Sequence, residues 1–407
     1  MTIHLIRSFL VFAIALGFTS ESHAQTRDHT EDAKAAELKV EELNALDSAL
    51  QTQIDDHHVA GVIGLIGRHG KIGYFEAFGS RNIEANAPME RDSLFRIYSM
   101  TKPIVAVTAM QIWEEGKFKL DDPLSNYCPE WKDATAKVDG KVVAVDNPLT
   151  ARHLLTHSAG LSYAKNGLAL GDEVDLKTFS ESLAKQPLQF QPGTSYVYGY
   201  AIDILGRYIE AIEGKSLDVV MRERIFDKLG MDDTEFWIRN SEDQERVARV
   251  YMKHKTGAFF SWNKSHELLR KPARMMGGQG LVSTAGDYAK FCQMFLGQGK
   301  VGDTRILKAS TVRLMSQNHL KKIGRAYGLG GMVDGKGRYS WGGAAGTGFW
   351  VDARADAYGV FMIQRWGYKP PTYNVFKKHA AKAIDYTPDI QSGPGQRTKQ
   401  RSTSTDS

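Results

Sequence analysis

The sequence predicts an α+β fold, with an antiparallel sheet built from both ends of the chain, helices flanking it and a mostly helical region inserted between. Two observations predict it. Strand-like runs occur near the start, at Val62–Gly67 and Ile72–Phe78, and return only near the end, at Tyr327–Gly330, Arg338–Trp341 and Gly359–Ile363. Between them, from about residue 121 to about 280, the pattern is one of helices and turns. Strands grouped together and helices grouped together give segregated layers, not an alternating parallel sheet.

The elements follow in order. Arg7, an apolar run over Phe9–Phe18 and Ser22-His23-Ala24 form the n-region, h-region and small-x-small site of an export signal over residues 1–24. Lys34–Asp55, rich in Ala, Leu, Glu and Lys, predicts a helix. The two first strands are joined by the turn Arg68-His69-Gly70. Leu94–Tyr98 is strand-like and leads into a long apolar helix over Pro103–Glu115, with proline tolerated in its first turn. Helices are expected at Ala151–Leu155, Leu176–Ala184, Ala201–Glu213 and Leu217–Leu229, and a closing helix at Val375–Ile384. The expected mature domain is 25–388. Residues 389–407 are Gln, Ser, Gly, Pro, Thr and Arg without apolar period, and are expected to be a disordered tail.

Composition narrows the function classes. At 407 residues and 42% hydrophobic content the chain can bury one large core or two coupled ones. The net charge of +5 is small for this length, loss of the signal leaves it unchanged because Arg7 and Glu21 cancel, and the basic residues are scattered. That argues against nucleic acid as a partner. No apolar run is long enough to span a membrane. The two cysteines, Cys128 and Cys292, suit no metal site by their spacing. Export permits a disulfide between them, but two unrelated buried thiols fit better.

The chemistry starts at Ser99-Met100-Thr101-Lys102. One helical turn brings the two side chains to one face, and an amine beside a hydroxyl can make serine a nucleophile. The spacing alone is not specific, since Ser162/Lys165, Ser182/Lys185 and Ser261/Lys264 share it. Only the first is preceded by a strand-like run and opens a long apolar helix. Other motifs fail on context. Gly297–Gly302 fits a dinucleotide-loop pattern but follows a helix-like run instead of a strand. Gly214-Lys215-Ser216 lacks the leading glycine of a phosphate loop. His266-Glu267 lacks the second histidine of a zinc helix, and no G-x-S-x-G is present.

Several stretches in order carry a resemblance: Ile97–Pro103, Leu120–Leu124, Leu154–Leu161, Gln191–Thr194, Ile202–Arg207, Gly280–Thr284 and Trp341–Gly346. Over roughly residues 45 to 385 the chain resembles the serine β-lactamase and penicillin-binding-protein superfamily, in the class C β-lactamase-like branch that includes the family VIII carboxylesterases. The resemblance implies a β-lactamase/DD-peptidase-like fold, no metal or other cofactor, and three motif positions. Ser99 and Lys102 are the first. Tyr198 is the second, followed by Gly199 where relatives usually carry serine or x-Asn; Tyr196 and Tyr200 are weaker candidates. The third is Trp341-Gly342-Gly343, a substrate-binding strand that reads Lys-Thr-Gly in lactamases. The literal Lys255-Thr-Gly257 lies between two short apolar runs and precedes Gly280–Thr284 instead of following it, so it is expected to be a hairpin turn.

The implied mechanism is acyl transfer through Ser99. Lys102, deprotonated by burial and polar neighbours, takes the hydroxyl proton or orients its acceptor. Tyr198 shuttles protons to the leaving group and from water. The N–H groups of Ser99 and Ala344 form the oxyanion hole, with Ala344 expected on the third-motif strand. Tyr98, Tyr163, Tyr196, Tyr200, Trp341, Phe349 and Trp350 are aromatic candidates for a pocket wall or for core. Trp341 offers no positive charge to a substrate carboxylate. The expected activity is therefore an exported, periplasmic or secreted carboxylesterase acting on a small neutral ester. The alternatives are a β-lactamase or D-Ala-D-Ala carboxypeptidase acting on an amide, and a non-hydrolytic binding or sensor protein on the same scaffold.

Overall fold

Alternation of side chains along the strands sets the layers of this protein. The computed structural model describes residues 29–163, 173–262, 268–367 and 371–385. The expected signal (1–24), the tail (389–407), Lys165 and Lys264 lie outside them. A seven-stranded antiparallel sheet is formed by β1 (Gly61–Arg68), β2 (Lys71–Asn82), β3 (Ala87–Pro88), β4 (Met332–Val333), β5 (Arg338–Gly342), β6 (Gly348–Asp352) and β7 (Ala357–Met362). Their order is β4-β5-β6-β7-β1-β2-β3. The two chain ends meet where β1 pairs β7, with Leu65 opposite Val360. The sheet is thus mixed in origin and antiparallel throughout, as the sequence predicts.

Val62 and Ile66 of β1, Trp350 of β6 and Phe361 of β7 face one side. There they meet Leu43, Leu46 and Leu50 of the helix Val40–Asp55 and Phe376 and Ala380 of the helix Pro371–Ala383. Ile63, Leu65, Phe349, Val351, Val360 and Met362 face the other side, against Tyr288, Phe291 and Phe295 of the helix Ala285–Leu296. The period of two therefore feeds two cores at once. The second core continues through the helix Thr101–Glu114 into the helices Ala151–Leu155, Leu176–Ala184 and Ala201–Glu213. From Thr101 to Ile112 every residue of the Thr101–Glu114 helix is buried, the state expected of a helix apolar on all sides.

Three expectations are corrected. Lys34–Asp55 is not one helix: it is broken between Ala35 and Val40. Glu37 adopts a φ of 51° and the Leu38 N–H returns to the Ala33 carbonyl at 2.8 Å. The break lets Ala36 and Leu38 join the core and folds His29 onto Asp47, 2.7 Å away. Tyr327–Gly330 is not a strand. Its backbone donors go elsewhere, Leu329 N–H to Met315 O and Gly330 N–H to Leu155 O, and pairing begins at Met332. Leu217–Leu229 is helical but contains a π turn at Arg222–Phe226. Strand β6 has no counterpart in the sequence reading, because a strand buried on both faces shows no alternation of polar and apolar residues.

Cys128 and Cys292 are both free and buried. Among the described residues no helix is long and apolar enough to cross a membrane.

Candidate active site

Ser99 sits in a single 3-10 turn, Tyr98–Met100, that opens the buried helix Thr101–Glu114. The turn is clamped from several sides. Phe95 and Arg96 pair with Ser283 and Val282, and the Ile97 N–H donates to Leu281 O at 3.0 Å. The Tyr288 hydroxyl donates to Met100 O at 2.9 Å. Tyr98 has a φ of 45°, a left-handed backbone that an aromatic residue adopts only when its surroundings enforce it. Held this way, Ser99 lies in the first turn, where helix N–H groups have no intrahelical acceptor.

Lys102 is 0% exposed. Its Nζ donates to Gly278 O at 2.6 Å, to Ser99 Oγ at 3.2 Å and to Tyr163 Oη at 3.2 Å. Three oxygen acceptors thus surround the amine. The Tyr198 ring lies under the amine, 4.6 Å from Nζ to the centroid. Tyr198 Oη stands 2.5 Å from Ser99 Oγ. The first-motif serine and lysine and the second-motif tyrosine are thus brought into one hydrogen-bonded cluster. Tyr196 and Tyr200 point elsewhere. Tyr196 packs on His157 and Tyr327, and Tyr200 packs on Tyr163 and Phe179.

Gly199 explains its own departure from the family pattern. A Cβ there would lie 2.0 Å from the Leu161 carbonyl oxygen. The Tyr198 segment is laid directly on the Leu154–Leu161 stretch, and the Val197 N–H donates to His157 O at 3.0 Å.

The third motif ends β5. Trp341 pairs Phe349 in the sheet and places its ring 5.6 Å from Tyr198 and 5.4 Å from Tyr327. Its buried Nε1 has no hydrogen-bond partner among the described residues. After Gly342 the chain turns, with Gly343 N–H on Thr347 O at 2.8 Å and Thr347 Oγ1 on Ile97 O at 3.4 Å. That contact seats the turn beside the residue two before Ser99. Ala344 is in this turn and exposed, not on the strand itself. Of the aromatic candidates, Tyr163 bonds Lys102 and Trp341 packs on Tyr198. Phe349 and Trp350 are core on opposite faces of the sheet, and Tyr98 packs against Trp366 at 5.4 Å.

Lys255-Thr256-Gly257 forms the turn of a separate hairpin, Tyr251–Lys253 with Phe259–Ser261. Gly297 ends the helix Ala285–Leu296 and leads into a second small hairpin. Ser182 donates to the Thr178 carbonyl of its own helix, and Lys185 is exposed at the end of that helix.

Three groups around the cluster, two of them fully buried, are not among the residues that the motifs nominate for catalysis. Tyr163, expected as pocket wall or core, accepts directly from Lys102, and desolvation pushes its hydroxyl pKa well above the usual range. His157 is fully buried, with both ring nitrogens without partners among the described residues. Burial, and then Lys102, push its pKa well below the usual imidazole value, so the ring is neutral. Asp203 is also fully buried, and burial raises its carboxyl to about 6 against the opposing pull of Lys102. The ordered stretches Leu154–Leu161 and Ile202–Arg207 carry or adjoin all three, but only folding brings them to Lys102.

The Beta-lactamase family model matches residues 46–381. Protein Rv1367c of Mycobacterium tuberculosis is 31% identical over 364 residues, covering 79% of this chain and 90% of that protein. Esterase EstB of Burkholderia gladioli is 34% identical over 219 residues, 51% of this chain and 54% of EstB. Among solved structures, EstCE1, described as a hydrolase with promiscuous acyltransferase activity, superposes with a TM-score of 0.72 at 25% identity. That match covers 84% of this chain and 98% of EstCE1.

Proposed function

This chain belongs to the beta-lactamase family, and we propose that within it the protein is an exported serine hydrolase that cleaves small neutral esters through an acyl-enzyme at Ser99. The 2.5 Å approach of Tyr198 Oη to Ser99 Oγ, beside a fully buried Lys102, is the observation that carries the reading. Ser99 Oγ attacks the acyl carbon while Lys102 donates to the same oxygen. The Ser99 proton passes to Tyr198 Oη, and Tyr198 gives its own proton to the departing alkoxide. The acyl group is left on Ser99 and the alcohol leaves. Water then takes the alcohol's place and the same relay runs in reverse, releasing the acid. The N–H groups of Ser99 and Ala344 are the proposed donors to the oxyanion.

Trp341 supports neutral esters over lactams and peptides. At the position where lactamases carry a lysine, it presents an aromatic face and an N–H but no cation. The Arg365 guanidinium is taken up by the His58 carbonyl. The Arg325 guanidinium lies over the Tyr196 ring at 4.5 Å. The name of Esterase EstB points to esters as well. Export rests on residues 1–24 and is tested by the N-terminal sequence of the protein recovered from its native cell.

The test of activity is a side-by-side assay of nitrophenyl acetate and butyrate, a chromogenic cephalosporin and a D-Ala-D-Ala peptide. The esters are expected to turn over faster. Faster cleavage of the cephalosporin would replace the esterase reading with the lactamase one.

A further inference from the structure

One buried carboxylate takes no part in these steps. Asp203, in the first turn of the helix Ala201–Glu213, is 0% exposed. Its Oδ1 accepts the Gly278 N–H at 2.7 Å, and its Oδ2 has no hydrogen-bond partner among the described residues. Gly278 is gripped from its other end by Lys102, whose Nζ donates to the Gly278 carbonyl at 2.6 Å. The fit allows only glycine, because a Cβ would lie 2.6 Å from Asp203 Oδ2 and 2.9 Å from Oδ1. One residue therefore ties a carboxylate to an amine, both out of water. A buried charge without an opposite one nearby is costly, and one polar atom left unpaired adds to the cost. The pair relieves the first cost; the unpaired Oδ2 is retained.

We propose that Asp203 is the positioning residue for Lys102: it balances the charge of the buried amine and, through Gly278, fixes the carbonyl toward which that amine points. Lys102 is thereby held as a donor to Ser99 Oγ, which leaves Tyr198 as the group that receives the Ser99 proton. This inference rests on the serine-hydrolase reading above. It predicts that reactivity of Ser99 follows the ionisation of Asp203.

The groups facing this pair are few. Lys102, Arg274, Tyr163 and Tyr200 act on Asp203 or are acted on by it, and His157 faces Lys102. Arg274 stays charged. Burial pushes both tyrosine hydroxyls up and the histidine down. Asp203, with its carboxyl at about 6, is the group expected to change charge near neutrality. Below that point the carboxylate takes a proton, the balance is lost, and Ser99 should react more slowly.

The experiment is the pH dependence of Ser99 labelling by a fluorophosphonate, in the full chain and in Asp203→Asn. Asparagine keeps an oxygen for the Gly278 N–H and removes the charge. Wild type should show an acid limb centred near pH 6. The variant should lack the limb and label roughly a hundredfold more slowly at about pH 8, on the scale expected when a reacting group loses its alignment; the gap should narrow to roughly tenfold at about pH 5 and close only near about pH 4. A variant that keeps the limb, or is slower by one factor at every pH, overturns the proposal and makes Asp203 merely structural. If Asp203→Asn gives no cooperative melt, the wild-type profile decides alone: labelling without an acid limb near pH 6 overturns the proposal. Absence of wild-type labelling at Ser99 would instead remove the hydrolase reading, and this inference with it.

Discussion

Ser99–Lys102 and Ser182–Lys185 share one spacing and nothing else. Lys102 is buried and met by three acceptors. Lys185 is exposed at a helix end, and Ser182 has spent its proton on its own helix. The same contrast holds for the third motif. Lys255-Thr256-Gly257 matches the lactamase string and is an outlying turn, whereas Trp341-Gly342-Gly343 departs from it and abuts Tyr198. Spacing and letters nominate a site; desolvation and convergence make one. An amine in water is a solvated cation with no preferred neighbour, while one enclosed by oxygen acceptors has its geometry set for it.

The sharpest way to break this contrast is to remove both lysines in turn. Lys102→Ala should lower ester turnover by at least about a hundredfold, the scale of losing a preorganised donor or the alignment of the reacting atom, while Lys185→Ala leaves kcat/KM unchanged. Comparable losses in steady-state kinetics would mean that burial does not distinguish the two pairs. Trp341→Lys comes next. It restores a cation at the third motif, and a charge-assisted bond is worth about 1.5–3 kcal/mol. The ratio of cephalosporin to nitrophenyl butyrate kcat/KM should therefore rise about ten- to a hundredfold, even if both fall. An unchanged ratio would show that Trp341 does not set the preference. The smallest effect is expected from Lys255→Ala, within about twofold of wild type as for other exposed positions. A loss approaching that of Lys102→Ala would return the third motif to residue 255.

Much of this arrangement is legible in the sequence. The helices Ala151–Leu155, Leu176–Ala184 and Ala201–Glu213 fall where their periodicity puts them, and Ser99, Lys102 and Tyr198 are nominated by ordered context. What stays hidden is of two kinds. Strand β6 and the break at Glu37 depend on packing against both chain ends, which local pattern does not report. Tyr163, Asp203 and Gly278 reach Lys102 across sequence separations that no motif spans. A tyrosine in a loop, an aspartate on an apolar helix and a glycine in a Gly-rich turn each read locally as ordinary. Their meaning comes from converging on one buried amine.

The central claim is a covalent one, that Ser99 Oγ takes the acyl group. It is tested most directly by quenching the enzyme during turnover of nitrophenyl butyrate, measuring the intact mass and mapping the modified peptide. An added butyryl group is expected on the peptide containing Ser99 and is expected to be absent in Ser99→Ala. A butyryl group on Ser162, Ser182 or Ser261, or an adduct that persists in Ser99→Ala, would contradict it.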